Sequence, residues 1–261
     1  STSIHVIQTK GDMNLKDDLS SLGGKGAFVK EIQKALIENE IDIAVHSYKD
    51  LPAESPSELE IISVSPREDE RDVLISKNKQ VFNDLNHNST IGTGSLRRNE
   101  QIKLIRDDLE YVPIRGNIDT RINKVLNNEL DAIIIAAAGV IRLSLSKYIS
   151  NFFKVDEIVP PPLQGFIAVE ARADFNSKNI FQRLSNPIDK IIAQYEYNAL
   201  TQLNGSCDLP FGFNLKYIDN GFDCSSFLKT SDNIISGSEY FKEGDIEKNF
   251  KNIISKLKNH I

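Results

Sequence analysis

Apolar residues along this chain recur at two alternating spacings, one typical of helices and the other typical of strands. Helical spacing occurs in four segments, residues 27–39, 118–128, 185–205 and 245–260. Strand-like runs occur at residues 41–47, 109–115 and 131–139, the last continuously apolar and typical of a strand buried on both faces. Residues 89–102 predict a strand, a Gly-rich turn and the start of a helix. This alternation favours an α/β fold.

The proline tract IVPPPLQGF, residues 158–166, interrupts the alternation, because three consecutive prolines cannot continue a helix or a central strand. It predicts a crossing between units or a rigid loop. The helix that follows has Ser185 or Asn186 as its cap, Pro187 in its first turn and Gly205 as its stop. Its predicted apolar face consists of Ile188, Ile191, Ile192, Tyr195, Ala199 and Leu203.

Cys207 lies just beyond that helix, in the loop NGSCDLPFG of residues 204–212. A cysteine there can be a buried small side chain, half of a disulfide, a metal ligand, a nucleophile or a point of covalent attachment. The second cysteine, Cys224, fits neither a CxxC redox pair nor a common zinc spacing, and no His with Asn or Asp stands at a helpful position. The residues alone leave covalent attachment open without establishing it.

Composition and charge narrow the functional classes. The chain has 261 residues, 31 of them basic and 37 acidic, which gives a formal net charge of −6. This balance argues against a general binder of nucleic acids or membrane surfaces, so any anion site must be a local basic cluster. No apolar run approaches the roughly 18–20 residues of a membrane span. Two cysteines are too few for a disulfide scaffold, and a reducing cytoplasm is the expected location.

The segment AVHSYKDLP, residues 44–52, presents polar side chains where a predicted buried strand ends. In open α/β sheets this end of a strand is where ligands bind, so Ser47, Lys49 and Asp50 are candidate site residues. The alternative is an ordinary turn with an Asp cap and a solvated lysine.

The segment GTGSLRR, residues 92–98, places Thr93 and Ser95 at a predicted helix N-terminus, which favours an anion. Arg97 and Arg98 add guanidinium groups suited to carboxylate or phosphate. The alternative is a capped surface helix with two solvated arginines. The spacing is not that of a Walker motif.

Further basic side chains lie near other strand ends or in turns. Arg115 ends a strand, Arg121 lies on the next helix, Arg142 follows the run 131–139, and Lys25 lies in a Gly-flanked loop. Each alone has a plain alternative, a solvated surface residue or an ordinary loop. Together they predict a site for a small ligand with several carboxylates or phosphates.

These motifs, taken in order, resemble one family, hydroxymethylbilane synthase, also called porphobilinogen deaminase. The resemblance runs from about residue 5 to about residue 215. It is carried by GDMNLKDDLSSLGGKGAFVKEIQKALIENEIDIAVHSYKDLP, PREDERDVLIS, IGTGSLRR, IRGNIDTR, AAAGVIRL, LQGFIAVEAR and LNGSCDLPFG. A colinear series of this length is far more specific than any single motif.

The resemblance implies a chemistry for the site. In this family the loop cysteine, here Cys207, forms a thioether to a dipyrromethane cofactor that primes a linear tetrapyrrole. Four porphobilinogen molecules are added head to tail with loss of ammonia, and water releases hydroxymethylbilane. Asp50 matches the catalytic aspartate, whose carboxylate stabilises the cation left when ammonia departs. No metal is implied.

The remaining matched positions are binding residues by resemblance. Every pyrrole unit carries an acetate and a propionate, so the growing product needs many cationic donors. The implied cofactor-binding residues are Ser47, Lys49, Thr93, Ser95, Arg97, Arg98, Arg115, Arg121 and Gly165. The implied substrate-binding residues are Lys25, Arg142 and Gln164.

The resemblance also implies three domains. Domain 1 is residues 1–65 with 166–183, domain 2 is residues 66–165, and domain 3 is residues 184–261 with the attachment cysteine. Domains 1 and 2 are expected to be periplasmic-binding-protein-like α/β domains with a hinge and an active-site cleft, and domain 3 a small α+β domain. The family usually opens with a strand carrying Arg-x-Ser-x-Leu-Ala and a helix, so domain 1 is expected to lack its first two elements. The expected protein is a cytoplasmic monomer whose partner is porphobilinogen, without nucleic acid or membrane.

Two other classes of protein share the expected architecture. One is a non-catalytic protein of periplasmic-binding-protein-like fold that binds tetrapyrrole precursors or anions. The other is a LysR-like effector-binding domain, which would not require Cys207. The joint presence of Lys49, Asp50 and Cys207 favours the enzyme.

Overall fold

The alternation of helices and strands is present in the computed structural model of the chain, which describes residues 2–7, 29–203 and 209–261. The α/β fold class is thereby confirmed. The chain divides into two compact units, Ser1–Arg67 with Phe166–Cys207 and Glu68–Gly165 with Asp208–Ile261. Within the described residues, no helix is long and apolar enough to cross a membrane. The predicted division into three domains, with its hinge and cleft, stays a prediction.

Seven helices and eleven strands are found in the described part of the chain. The helices are α1 (Lys30–Ile37), α2 (Leu96–Lys103), α3 (Ile118–Leu126), α4 (Ala137–Arg142), α5 (Lys178–Gln182), α6 (Pro187–Gln202) and α7 (Ile246–Lys258). The strands are β1 (Ile43–Ser47), β2 (Leu59–Val64), β3 (Asp72–Ser76), β4 (Thr90–Gly92), β5 (Glu110–Val112), β6 (Ala132–Ala136), β7 (Asn151–Phe152), β8 (Ile167–Arg172), β9 (Phe211–Ile218), β10 (Gly221–Lys229) and β11 (Ile234–Lys242). All four predicted helical segments contain a helix.

The first unit is built on a three-stranded sheet in the order β1-β8-β2, with β8 antiparallel to both neighbours. Helix α1 covers one face, where Leu36 packs with residues of β1 and β2. On the other face, Phe181 of α5 packs against Val169 of β8. Because β1 is held in this sheet, the residues that follow Ser47 begin from a fixed strand end.

Helix α6 begins as the sequence predicts, with Asn186 accepting a hydrogen bond from the Asp189 backbone N–H at 2.7 Å and Pro187 in the first turn. Its buried face differs from the predicted one, because Glu196 is fully buried while Ile188 and Ile191 are only half-buried. Apolar spacing cannot reveal a buried carboxylate, which depends on a partner from elsewhere in the chain. The predicted stop, Gly205, lies outside the described residues.

The second unit contains a five-stranded mixed sheet in the order β5-β4-β6-β3-β7. Strand β6 is buried on both faces, as predicted, with Ile133 and Ile134 in the two cores on opposite sides of the sheet. The predicted strand over 131–139 is wrong at its end, because α4 begins at Ala137. Alanine is the best helix former, so an apolar run that ends in alanines does not distinguish a strand from a helix.

A second sheet in this unit has the order β11-β10-β9, an antiparallel meander that the sequence analysis did not assign. Helix α7 packs on it, with Phe250 against Phe213 at 6.0 Å between ring centroids. Asp219 and Asn220 both have positive φ, 47° and 60°, as a two-residue hairpin turn requires. The sequence Asp219-Asn220-Gly221 is typical of such a hairpin turn and could have predicted it.

Strand β9 lies close to the proline tract, and the Phe213 N–H donates to the Pro160 carbonyl at 2.9 Å. A Cβ added at Gly212 would lie 2.6 Å from the Val159 carbonyl oxygen, which is closer than real Cβ atoms approach. Relief of this clash would require a shift of the Val159 backbone, which costs more free energy than the rotation of a side chain. Glycine at 212 is therefore required for this contact.

Gly212→Ala is expected to destabilise the protein by about 1–3 kcal/mol, because the added methyl group overpacks a backbone contact. Gly237→Ala in β11 is the matched control, since nothing lies within 4 Å of its added Cβ. The midpoints of urea unfolding of both variants test this expectation. An unchanged midpoint for Gly212→Ala would show that the close approach of β9 to Val159 is wrong.

Candidate active site

Asp50 lies just past the end of a strand, as the sequence analysis predicted, but this strand is buried on one face only, with Ala44 and His46 buried and Val45 exposed. Strand β1 ends at Ser47, and Tyr48–Asp50 form a short 3-10 turn. Asp50 and Ser47 are exposed and Lys49 is half-buried. No hydrogen bond or ion pair joins the Asp50 carboxylate to any residue that the structure describes. An exposed carboxylate without a partner in this part of the chain is available to a ligand.

The strand that carries this turn is fixed by a buried polar network. Glu170 of β8 is fully buried, and its two carboxylate oxygens contact the Gln33 amide nitrogen at 2.9 Å and His46 Nε2 at 3.0 Å. These contacts join α1, β8 and β1. Burial, followed by the nearby Tyr197 and Glu170, raises the pKa of the Tyr48 phenol, so the hydroxyl is neutral at physiological pH. The strand that leads to Asp50 is therefore held in place by buried, hydrogen-bonded side chains.

Thr93 and Ser95 stand at the start of α2, as predicted. Ser95 is the N-cap and accepts a hydrogen bond from the Arg98 N–H at 3.4 Å, and Thr93 Oγ1 accepts from the Ser95 N–H at 3.2 Å. These donors are therefore already used within the turn. An open pocket of about 320 Å³ adjoins them, bordered by Thr93, Ser95 and Tyr111 among others.

Arg97 and Arg98 are not solvated, so the alternative of an ordinary surface helix is wrong. They are 5% and 6% exposed, and each donates to one oxygen of the fully buried Asp72 at 2.7 Å. Arg97 also donates to the Val159 carbonyl, and Arg98 to the Ile134 carbonyl. Arg98 Nε is buried and has no hydrogen-bond partner in the part of the chain that the structure describes.

Burial would raise the pKa of the Asp72 carboxyl, but the charges of Arg97 and Arg98 and their hydrogen bonds outweigh it and hold the pKa well below its usual range. The cluster therefore contains one carboxylate and two guanidinium groups. One positive charge in it is not balanced by Asp72.

Gln164 joins the same cluster from the end of the proline tract. It is fully buried, and its amide nitrogen donates to Asp72 Oδ1 at 2.9 Å and to the Glu70 carbonyl at 2.7 Å. The next residue, Gly165, has φ of 93° and accepts a hydrogen bond from Arg142 Nη2 at 2.7 Å. Arg142 is otherwise exposed. The 158–165 tract is thus held to β3, α2 and α4 by polar contacts.

Arg115 and Arg121 are half-buried near the start of α3. Arg121 Nε donates to the Gly116 carbonyl at 2.7 Å, and Asn117 caps the helix by accepting from the Thr120 N–H. Arg115 makes no hydrogen bond or ion pair within the described part of the chain. Its guanidinium group is therefore a candidate ligand donor.

The structure brings some predicted residues together and leaves others apart. Arg97, Arg98 and Gln164 meet at Asp72, and Arg142 contacts Gly165 beside them. The other predicted side chains that the structure describes do not contact Asp72. Ser47, Lys49 and Asp50 lie in the first unit. In the second unit, Thr93 and Ser95 lie at the start of α2, next to the Arg98 backbone, and Arg115 and Arg121 lie near the start of α3. Cys207 and Lys25 lie outside the described residues, so their roles stay predictions.

Sequence reasoning missed three carboxylates that organise these elements, Asp72, Glu170 and Glu196. Each is at least nine-tenths buried and each is paired with a cation or a polar side chain. A weak signal existed for Asp72 and Glu170, because each carboxylate lies at or within an otherwise apolar strand, in DVLIS and IAVEAR. A charge within a buried strand indicates a partner, but the sequence does not indicate which one.

Comparison with known proteins supplies the class. Residues 1–179 match the family model described as porphobilinogen deaminase, dipyromethane cofactor binding domain. The porphobilinogen deaminase of Clostridium acetobutylicum is 39% identical over 224 residues, covering 86% of this chain and 77% of the relative. The enzyme of the same name from Caldicellulosiruptor saccharolyticus is 40% identical over 253 residues, covering 97% and 86%. Among solved structures, the methionine-binding protein MetQ covers 63% of this chain and 78% of its own, at 12% identity and a TM-score of 0.42.

The class that these sequence relatives define is a transferase. The chain belongs to the porphobilinogen deaminase family. The resemblance of the motifs is thereby confirmed. The weak likeness to the solved structure adds no argument about ligand or activity.

Asp72→Asn is expected to destabilise the protein by about 3–5 kcal/mol near neutral pH, because it leaves two buried guanidinium groups without their carboxylate. The folded state lowers the pKa of Asp72, so the carboxylate's contribution is fully present above the unfolded value of about 3.9. It is lost as the pH falls through the lower folded pKa. Urea midpoints of wild type and variant should therefore converge in acid.

The control is Glu247→Gln, which breaks an exposed pair between Glu247 and Lys251 on α7 and should leave the midpoint unchanged. Equal midpoints for wild type and Asp72→Asn near neutral pH would contradict the role assigned to the buried carboxylate.

Proposed function

We propose that this chain catalyses the porphobilinogen deaminase reaction, also called hydroxymethylbilane synthase. Four porphobilinogen molecules are joined head to tail with release of ammonia, and water releases the linear product. The family match over residues 1–179 and the colinear motifs support this assignment. One structural observation carries it: the exposed Asp50 carboxylate, unpaired among the described residues, just past the end of a strand that is buried on one face. No observation favours a non-catalytic binding protein.

The residues present fit a dipyrromethane cofactor. Each pyrrole ring carries an acetate and a propionate, so the cofactor requires an excess of buried or half-buried cations. The cluster at Asp72 holds two guanidinium groups against one carboxylate, and Arg98 Nε has no hydrogen-bond partner within residues 2–7, 29–203 and 209–261. Arg115 adds a further guanidinium group without a partner in the described residues. When bound, the dipyrromethane supplies the pyrrole end that is extended.

The proposed attachment residue is Cys207, through a thioether. The residues proposed to hold the cofactor are Ser47, Lys49, Thr93, Ser95, Arg97, Arg98, Arg115, Arg121 and Gly165. Those proposed to bind the substrate are Lys25, Arg142 and Gln164. The arginines among them act as permanently charged donors, since a guanidinium group keeps its proton in proteins.

Asp50 is the proposed catalytic residue. Loss of ammonia from porphobilinogen leaves positive charge spread over the ring and its methylene carbon. A carboxylate held beside the pyrrole N–H accepts its hydrogen bond and stabilises that charge as it develops. The contribution is greater in the transition state than in the ground state, so it raises the rate rather than the affinity.

The proposed setting is a monomer in the cytoplasm. Two cysteines without a disulfide scaffold favour a reducing compartment. Porphobilinogen is the proposed small-molecule partner, and the net charge of −6 gives no support to a nucleic-acid partner.

Asp50→Asn is expected to lower kcat by about 100-fold or more with little change in the urea midpoint, because it removes the stabilising charge and keeps the side-chain shape. Asp42→Asn is the matched control. Asp42 lies just before the same strand and is 81% exposed. Consumption of porphobilinogen under saturating substrate is the measurement. A wild-type kcat for Asp50→Asn would show that the carboxylate has no part in the reaction.

Cys207→Ala is expected to remove all covalent pyrrole from the protein, since no other thiol can replace the proposed tether. The wild-type intact mass should exceed the sequence mass by two linked pyrrole units, and peptide mapping should place the addition at residue 207. Cys224→Ala should retain the added mass, because Cys224 is 2% exposed within β10. Added mass that persists in Cys207→Ala would place the attachment elsewhere.

A further inference from the structure

The backbone around Asp50 is tied to helix α6 by a tyrosine. Tyr197 of α6 donates its hydroxyl hydrogen bond to the Ala53 carbonyl at 2.7 Å. Its ring also stacks on Tyr48, with 6.2 Å between centroids and 27° between planes. Tyr48 and Ala53 flank Asp50 on both sides. Tyr197 therefore contacts the loop of residues 48–53 before and after the carboxylate.

The loop has a second set of anchors outside α6. The Tyr48 N–H donates to the Phe166 carbonyl at 3.1 Å, and the Leu51 N–H donates to the Tyr48 carbonyl at 3.2 Å. Tyr48 and Leu51 are 6% and 2% exposed. The side chains beside Asp50 are therefore buried, while Asp50 itself is exposed and has no partner in the described residues. The position of its carboxylate depends on the backbone of this loop.

Helix α6 is itself anchored by a buried ion pair. The residue before Tyr197, Glu196, is fully buried and accepts two hydrogen bonds from Arg67, at 2.8 and 3.1 Å. The Arg67 guanidinium group also lies 4.7 Å from the centroid of the Phe166 ring. Adjacent residues of α6 thus hold two different segments, Glu196 the residues around Arg67 and Tyr197 the loop around Asp50. The helix then ends at Gln202, five residues before Cys207.

We infer that Tyr197 is a positioning residue for the catalytic carboxylate. Its ring and its hydroxyl fix the backbone of residues 48–53, and this backbone determines where the Asp50 carboxylate lies. Tyr197 lies on α6, the helix that precedes the proposed attachment cysteine. This inference rests on the proposed function. A misplacement of about 1 Å at a reacting group can cost on the order of 100-fold in rate. The contacts of Tyr197 are with Tyr48 and Ala53 on either side of Asp50, so its effect on the rate is expected to pass through Asp50.

The test compares Tyr197→Phe, which keeps the ring and removes the hydroxyl, with Tyr240→Phe. In the control, a tyrosine hydroxyl also donates to a backbone carbonyl, that of Asp219, on the outer strand β11. Tyr197→Phe is expected to lower kcat by about 10-fold or more and to leave KM within about 2-fold. Tyr240→Phe is expected to keep both constants.

A double variant separates positioning from a general structural role. If Tyr197 acts through Asp50, Tyr197→Phe should cost little further rate in the Asp50→Asn background, where the carboxylate is already absent. Equal losses in both backgrounds would overturn the inference, as would a wild-type kcat for Tyr197→Phe.

Backbone amide exchange in residues 48–53 is measured on the same proteins and needs no turnover. Tyr197→Phe should accelerate it, and Tyr240→Phe should not. If the wild-type protein consumes no porphobilinogen, the proposed function fails. Unchanged exchange in Tyr197→Phe would then overturn the inference on its own.

Discussion

The second unit depends on the buried ion pairs that Asp72 forms with Arg97 and Arg98. Asp72 lies at the start of β3 and receives hydrogen bonds from Arg97 and Arg98 of α2 and from Gln164 at the end of the proline tract. Removing the charges of Asp72, Arg97 and Arg98 from water is costly, and the ion pairs and hydrogen bonds that offset this cost require one particular arrangement of the three side chains. The strand, the helix and the tract therefore share a single geometry. The same cluster keeps one excess positive charge, which suits a ligand that carries carboxylates.

The first unit also contains buried carboxyl groups that are hydrogen-bonded to other segments of the chain. Glu170 is satisfied by Gln33 and His46, and Glu196 by Arg67, so each buried charge connects separate segments. Satisfied buried networks of this kind specify one arrangement of the elements around them. Asp50, by contrast, is left exposed at the end of the strand that they support. A carboxylate without a partner among the residues that the structure describes, on a well-supported turn, is what stabilisation of a developing cation requires.

The elements were largely predictable from the sequence, and the partners of the buried charges were not. Helices α1, α3, α6 and α7 follow from apolar spacing and, in α6, from the cap at Asn186, because those signals are local. The strand predicted over residues 131–139 was too long, because alanines at the end of an apolar run are compatible with a helix as well as with a strand. The meander of β9–β11 was not assigned, although the β9 sequence FGFNLKY alternates clearly; the alternation of apolar and polar residues is weak only in β10 and β11. Arg97 and Arg98 were found as charged candidates, but their burial depends on Asp72, a residue distant in sequence.

In the proposed reaction, this protein lengthens a covalently held pyrrole chain one porphobilinogen at a time. The most direct test is the intact mass of the wild-type protein after brief mixing with limiting porphobilinogen. The expected result is a ladder of masses in equal steps, each one porphobilinogen less one ammonia, that extends no more than four steps above the starting mass and persists when the limiting substrate is exhausted. A single unchanged mass, with porphobilinogen left intact in solution, would contradict it.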